Sequence, residues 1–294
     1  MKHSRRDWLK LSALSTLAGY FFLRFPGKLF AKGTDKSEVI LIRDKEVLKN
    51  DGNPDKRILS DMMDKAVTTL TGINNSSDAW KSIIKPDDIV GIKSNEWGHL
   101  PTPKALEEIL KERVSDAGIK DQNISVRDRG VLKDPVFQKS TALINVRPLR
   151  THNWSGVGTL LKNYIVFTDK PWTYHPDTCA DLAKLWKLPE VAGKTRLNIL
   201  VMLTPLFHGT GPHHFNKEYI WKYNGLLVGF DPVAVDSIGV RILENKRKEY
   251  FSEERPLNPP AKHILLADTR HKLGNANPEK INLVSIGWKE KILL

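Results

Sequence analysis

Apolar and polar positions along the chain switch repeatedly between a strand period and a helix period. The short Val- and Ile-rich run at 38–43 predicts a strand, and 88–93 (Asp-Ile-Val-Gly-Ile-Lys) predicts a buried one. Over 56–70, Ile58, Leu59, Met62, Met63, Ala66, Val67 and Leu70 recur at helical spacing. A helix is expected at 103–117, with Thr102 as N-cap, Pro103 at the first helical position and Gly118 just past the end. Further strands are expected at 123–127, 142–146, 197–203 and 226–230. Short helices are expected at 159–164 and 177–185, and a long one from Pro232 to about Tyr250. A Pro-rich connection at 253–260 leads to a closing helix at 262–273 and a strand at 281–286.

Strands that alternate with helices predict an α/β fold, a mainly parallel sheet flanked by helices. Ligands of such sheets bind beyond the carboxyl ends of the strands. The polar residues that follow the strand runs are Lys93, Ser94 and Asn95, then Asp128, Arg150, His152, the loop 204–214 and Asp231. Together they define the candidate crevice.

Composition narrows the picture. The chain has 294 residues, 40 % hydrophobic and 27 % charged, enough for a sizeable core and against wholesale disorder. Cys179 is the one cysteine, which excludes a disulfide framework, a Cys-based zinc site and a self-contained iron–sulfur cluster. Of the formal +12 charge, residues 1–31 hold six Lys and Arg against Asp7, leaving +7 on the rest. Those bases are scattered among acids without an aromatic-laced basic stripe, so nucleic acid is not an expected partner, whereas a small anionic ligand fits the balance.

The N-terminus reads as an address. Ser4-Arg5-Arg6-Asp7-Trp8-Leu9-Lys10 resembles the twin-arginine pattern Ser-Arg-Arg-x-Phe-Leu-Lys, with Trp8 in place of Phe. An apolar stretch from Leu11 to Phe25 follows, interrupted at Arg24 and shorter than the roughly 20 residues that span a bilayer. The expectation is a signal peptide over 1–31, a single α/β domain over 32–294, and export of the folded chain by the twin-arginine translocase to a periplasmic or extracytoplasmic address. Leu29-Phe30-Ala31 lacks the second small residue of a clean cleavage site, so retention through an uncleaved signal, the one membrane contact foreseen, stays open. This route often carries proteins loaded with a cofactor beforehand, so a metal or other cofactor bound before export is expected without being named.

Several groups have chemistry to offer. Arg150-Thr151-His152-Asn153-Trp154 follows an apolar run that Pro148 is expected to end; Gly156 and Gly158 then precede a helix start near Thr159, where free amides make an anion site. Arg150 would add a bidentate clamp, with Lys162 and Asn163 one turn on. His152, His175, His208, His213 and His214 fall within 63 residues. His208 and His213 with Asp231 are candidate metal ligands, with satisfied loop histidines and acid/base roles as the alternatives. Asp231 before Pro232 also fits an N-cap. Asp236 lies too deep in that helix to cap it, and on an apolar face its carboxylate needs a partner.

The order of these motifs resembles the domain-of-unknown-function family 362. The matching elements are Lys93-Ser94-Asn95, Thr102-Pro103, Arg150-Thr151-His152, Thr159-Leu160-Leu161-Lys162-Asn163, His175, Gly211-Pro212, and Asp231-Pro232-Val233-Ala234-Val235-Asp236, over roughly Val90 to Leu243. Arg150 stands where the family usually has Lys, Met202-Leu203-Thr204 where an acidic residue is common, and the ferredoxin-like cysteine module of many relatives is missing. The resemblance implies a fold and candidate positions and brings no assigned reaction. Taken together, His152, Lys162 and Asp236 are the candidate catalytic residues, and Lys93, Asn95, Arg150, Asn163 and His175 the candidate ligand-binding ones. The expected function is a cofactor- or metal-dependent enzyme acting on a small anionic substrate. The alternatives are a non-catalytic exported binding protein for an anion or metal, and an envelope assembly or interaction protein.

Overall fold

In β1 (Ser37–Arg43), Val39 and Leu41 pack to one side and Ile40 and Ile42 to the other, all buried. A strand with apolar residues on both faces belongs inside a sheet covered on both sides, and the computed structural model places it there. The structure describes residues 36–209 and 215–294. The segment read as an export signal, 1–31, lies outside the described residues, as do Gly211, Pro212, His213 and His214. Residues 36–294 form one compact unit.

The other strands are β2 (Val90–Lys93), β3 (Ile124–Arg127), β4 (Ala142–His152), β5 (Gly156–Gly158), β6 (Thr195–Leu206), β7 (Gly225–Gly229) and β8 (Ile281–Gly287). They form a sheet ordered β3-β2-β4-β6-β7-β1-β8, with β5 paired to β4 alone. Along that path every strand except β7 runs the same way; β7 is antiparallel to both β6 and β1. The expected mainly parallel α/β architecture is what the structure shows.

Helices cover both faces. On one lie α1 (Lys56–Thr71), α2 (Ser76–Ile83) and α3 (Lys104–Asp116), packed through Leu59, Trp80 and Leu110 on Ile92, Ile144 and Ile199. The short α4 (Pro135–Gln138) and α5 (Leu160–Asn163), the 20-residue α6 (Pro232–Phe251) and α7 (Lys262–Thr269) pack into a second core, where their Phe137, Leu160, Ile238 and Ile264 join Leu143 and Leu200. Among the described residues, no helix is long and apolar enough to cross a membrane.

Several expectations change. Pro148 does not end its run, and β4 continues to His152. The pairing with β2 stops at Asn145, so the strand's edge on that side is open where Pro148 lacks an N–H. Thr102 is not the cap of α3; its Oγ1 accepts from the Asn95 N–H, and Pro103 occupies the cap position without a side-chain bond. Helix α2, capped by Asn75, was not read from the sequence. The helix expected at 177–185 is a left-handed turn followed by a 3-10 turn, Leu182–Lys187: Asp177, Thr178 and Cys179 have φ of 52°, 53° and 64°.

Candidate functional site

β7 decides which strand ends can meet. Gly229, its last residue, pairs with Asn198 near the start of β6 and with Val39 near the start of β1. Asp231 therefore sits at the amino edge of the parallel strands, while Arg150, His152 and His208 follow the carboxyl edge. From Asn198 to Leu206 along β6 is roughly 26 Å at about 3.3 Å per residue. Asp231 caps α6 by accepting from the Val233 and Ala234 N–H groups, and ties down Ser37 and Asn275. His208 bonds Arg247 through Nδ1 at 3.0 Å and packs on Tyr219 and Phe251. The residues foreseen as metal ligands are thus placed apart, with His213 outside the described residues. Among the described residues, no group of three His, Cys, Asp or Glu is arranged to hold a metal ion.

Of the ligand-binding and catalytic candidates, Lys93, Lys162, Asn163 and Asp236 come together around α5 and Arg150, His152 and His175 face Lys162, while Asn95 is bonded to Thr102. The one-turn α5 is fixed from three sides. Asp236, projecting from α6, accepts from Thr159 Oγ1 at 2.7 Å and from the Leu160 and Leu161 N–H groups at 3.0 and 2.9 Å. The helix-start amides expected to take a ligand are therefore occupied by an internal carboxylate. Burial pushes the Asp236 carboxyl up to about 7, against the pull of those three donors and of Arg147.

At its other end α5 is held by amides. Asn163 Nδ2 donates to the Lys93 carbonyl (3.1 Å), Asn145 Oδ1 (2.8 Å) and the Val146 carbonyl (3.1 Å). Asn145 donates to the Leu160 carbonyl and to Asn198, which in turn donates to the Phe230 carbonyl. Asn145 and Asn198 are fully buried in the middle of strands. Each interrupts an apolar run, which was the available sequence signal for a buried polar ladder. The ladder ties β2, β4, β6 and the end of β7 to α5.

Four cations are buried around this framework: Lys93, Arg147, Arg150 and Lys162. Lys93 has its counter-charge, bonding Asp128 at 2.8 Å and Asn163 Oδ1 at 3.2 Å. Burial lowers its pKa to about 8 despite that partner, while Asp128, pushed up by burial, is held below its ordinary value by Lys93. The other three make no ion pair with any described carboxylate. Arg147, which sequence reasoning passed over, has a buried Nε without a partner and makes no hydrogen bond among the described residues, and burial drives it down to about 10. Arg150 has one long bond to the Thr151 carbonyl (3.4 Å) and lies over the Trp97 ring at 4.2 Å. Burial, with Arg147 alongside, lowers it well below the ordinary guanidinium value. Trp97 is buttressed edge-on by His99 and Phe215, which stack on each other at 4.2 Å. The side chain bonded to Lys162 Nζ is Cys179, whose Sγ lies at 3.4 Å; burial lowers Lys162 to about 8 and raises the thiol.

Gly158 makes room for protein. A Cβ there would stand 2.9 Å from an Arg147 Nη, and one on Gly156 would stand 2.4 Å from the Pro259 carbonyl. The glycines expected to open the backbone to a ligand thus fit Arg147 and the 259–261 loop.

Three histidines complete the surroundings, all with depressed pKa. His152, its Nδ1 accepting from the Trp154 N–H, is pushed far down by burial and by Lys162, Arg150 and Arg147. Burial and Lys162 lower His175, which lies against Trp154, to about 4. His263 on α7, not singled out from sequence, is fully buried with neither ring nitrogen bonded, and is lowered to about 3 by burial, then by Lys162 and Arg147. Of the eleven buried side-chain polar atoms without a partner among the described residues, seven belong to Asn95, Arg147, Arg150, Thr151, Thr178 and His263. Buried polar groups are normally paired, so their concentration here marks this place over two open clefts beside α1, one at Arg43 and Asp61, the other at Asp64 and Arg113. The three left-handed residues of the Cys179 turn, costing about 1–2 kcal/mol each, abut the same cluster.

Residues 117–241 match the family model described as Domain of unknown function (DUF362), which supports the family that the motif order resembles. The match takes in Asp128, β4, α5 and Asp236, and leaves Lys93, Asn95 and His263 outside. No curated protein and no solved structure matches the chain.

Proposed function

We propose that the protein, which matches a family model over residues 117–241, binds a small anionic molecule among Arg147, Arg150 and Lys162, and that Lys162 exchanges a proton with it. The observation that carries this reading is the surplus of buried cations around α5: Lys93, Arg147, Arg150 and Lys162, against the two buried carboxylates that act on them, Asp128 and Asp236. An unpaired charge taken out of water costs several kcal/mol, and a protein keeps such a site when a ligand supplies the missing charge. Lys162, with a pKa of about 8, is near the pH where a general acid or base works best. As the ammonium it would bind the anion and hand over one proton, leaving the neutral amine beside Cys179. Asp236 acts here as a positioning residue, because both of its oxygens already accept from α5. A metal cation at this spot would meet two uncompensated positive charges, which favours an anion over the metal alternative. Calorimetric titration with small anions tests the reading. Binding that is lost in Arg147→Met and weakened in Lys162→Met is expected, and a protein that binds none of acetate, phosphate or sulfate would refute it.

We propose also that the chain is exported folded through the twin-arginine translocase to a periplasmic or extracytoplasmic address. The support is Arg5-Arg6 within the Ser4–Lys10 motif and the short apolar stretch behind it.

A further inference from the structure

The unpaired groups around Lys162 say more about the ligand than its sign. They come from three directions. Arg147, Arg150 and Thr151 are on β4, Thr178 is on the left-handed turn, and His263 is on α7. Each carries a buried side-chain nitrogen or oxygen with no partner. Lys162 adds an ammonium whose partner is a thiol.

Charge is the first constraint. Lys93 and Asp128 balance each other. Asp236 offsets one of the remaining three cations, leaving two. A monocarboxylate would leave one cation uncompensated in a buried site, whereas a dianion closes the balance. Acceptor number is the second constraint. A carboxylate has two oxygens in one plane with about four lone-pair positions, fewer than two guanidinium groups, an ammonium, two hydroxyls and an imidazole N–H can use. A phosphoryl group presents three strong acceptor oxygens and a charge of about −1.5 to −2 at neutral pH, spread in three dimensions. The third constraint is the route of recognition. Phosphate often sits on a helix N-terminus, but Asp236 fills the one at α5, so the anion has to be held by side chains. Paired arginines do this well, since the guanidinium fork matches phosphate oxygens.

We propose that the ligand carries a doubly charged tetrahedral oxyanion, a phosphate monoester or phosphonate, held by Arg147, Arg150 and Lys162, with His263 as its donor from the α7 side. This rests on the anion-site reading above and narrows it to one chemical class. His263 is placed there because Lys162 and Arg147 lie close enough to act on its ring, which is sealed from solvent and bonded to no described residue. In the bound state one ring N–H gains an acceptor oxygen, which removes a buried unsatisfied donor.

The test is calorimetric titration of the full chain at pH 7.5 with inorganic phosphate, methylphosphonate and acetate. Phosphate and methylphosphonate are expected to bind with one-to-one stoichiometry and at least about tenfold tighter than acetate, a difference of about 1.4 kcal/mol. His263→Ala is expected to weaken phosphate by about tenfold and acetate by less. Phosphorus NMR of the unaltered protein gives a readout that does not depend on any variant folding. The phosphate resonance should broaden on adding protein, and methylphosphonate should restore it where equimolar acetate does not. Acetate binding as tightly as phosphate would overturn the dianion assignment and leave the anion site standing. Absence of binding by all three would remove the site itself, and equal phosphate affinity in a folded His263→Ala variant would remove His263 from it.

Discussion

Asp236 and Thr159 meet across 77 residues of sequence, the hydroxyl of one donating to the carboxylate of the other at 2.7 Å. With the Leu160 and Leu161 amides on the same carboxylate, this contact makes a side chain of α6 the N-terminal cap of α5. A one-turn helix has no stability of its own, so Lys162 stays in place only while Asp236 and the Asn163 amide hold both ends.

Asp236→Ala should therefore cost about 3 kcal/mol, because it strands three buried donors at once. Asp236→Asn keeps one carbonyl acceptor and should cost about half as much. Urea unfolding measures both. A loss under about 0.5 kcal/mol for the alanine variant would mean that solvent replaces the cap and that α5 is not held as described.

The frame was readable because it is written in short-range pattern. The two-faced apolar run at 38–43, the helical spacing over 56–70 and the Asp231-Pro232 start of α6 each specify an element without tertiary help. The direction of β7 was not readable. Nothing in Gly225–Gly229 tells a parallel strand from an antiparallel one, and that single reversal moved Asp231 to the far edge of the sheet. The site was half legible. Arg150, His152, Lys162 and Asn163 stood out beside glycines and turns. Arg147 sits before a proline inside what read as the close of a strand, and His263 sits in an apolar helix. Their importance lies in lacking partners, a property of packing that no local pattern carries. Asp236 was recognised as needing a partner, and that partner proved to be the backbone of α5.

Arg147→Met should make the ligand-free protein more stable while abolishing its anion binding. The guanidinium is buried, its Nε has no partner and it makes no hydrogen bond among the described residues, so an apolar side chain of similar length removes a desolvation cost; such replacements of buried charge gain about 1–4 kcal/mol. Thermal unfolding with and without phosphate reads both effects. A lower melting temperature for the variant without ligand would show that Arg147 is already compensated inside the protein.

Gly158→Ala probes the same guanidinium from the side. The added methyl would stand 2.9 Å from an Arg147 Nη and 3.4 Å from Arg150 Cγ, so both arginines must shift by a few tenths of an ångström. The fold should survive, since the β5 backbone pairing is unchanged, but anion affinity should fall by about tenfold, because misplacing a charged clamp costs on the order of 1–2 kcal/mol. Wild-type affinity would mean that Arg147 is not in contact with the ligand.

Export is tested in cells. Replacing Arg5 and Arg6 together by Lys keeps the charge and removes the guanidinium pair. Folded precursor should then accumulate in the cytoplasm, as followed by fractionation. Unchanged export would point to a general secretory route, which reads apolar length and tolerates lysine.

The last prediction concerns pH and follows from Lys162. Its folded pKa of about 8 lies below the ordinary lysine value of about 10.4. For a base depressed in this way, the folded state favours the neutral amine. Its contribution to stability is complete above about pH 10.4 and is lost as pH falls through about 8. The ligand-free protein should thus gain stability between about pH 8 and 10, opposite to what a surface lysine pair would do. Anion binding needs the ammonium and should run the other way, weakening by up to about tenfold per pH unit above pH 8 for one proton taken up on binding. The groups that act on Lys162 are Cys179 from the turn and Arg147 and Arg150 from β4, and Lys162 in turn depresses His152, His175 and His263. Arg147, at about 10, begins to lose its proton only toward the top of this range, and the three histidines, all depressed, are already neutral at pH 8. Lys93 also titrates near 8, but against Asp128, and its share remains in a Lys162→Met variant. Lys162→Met should therefore bind phosphate weakly at pH 7.5 and show a flatter profile in calorimetry from pH 7.5 to 9.5. An equally steep profile in the variant would transfer the titration to Lys93 and take the proton-exchange role away from Lys162.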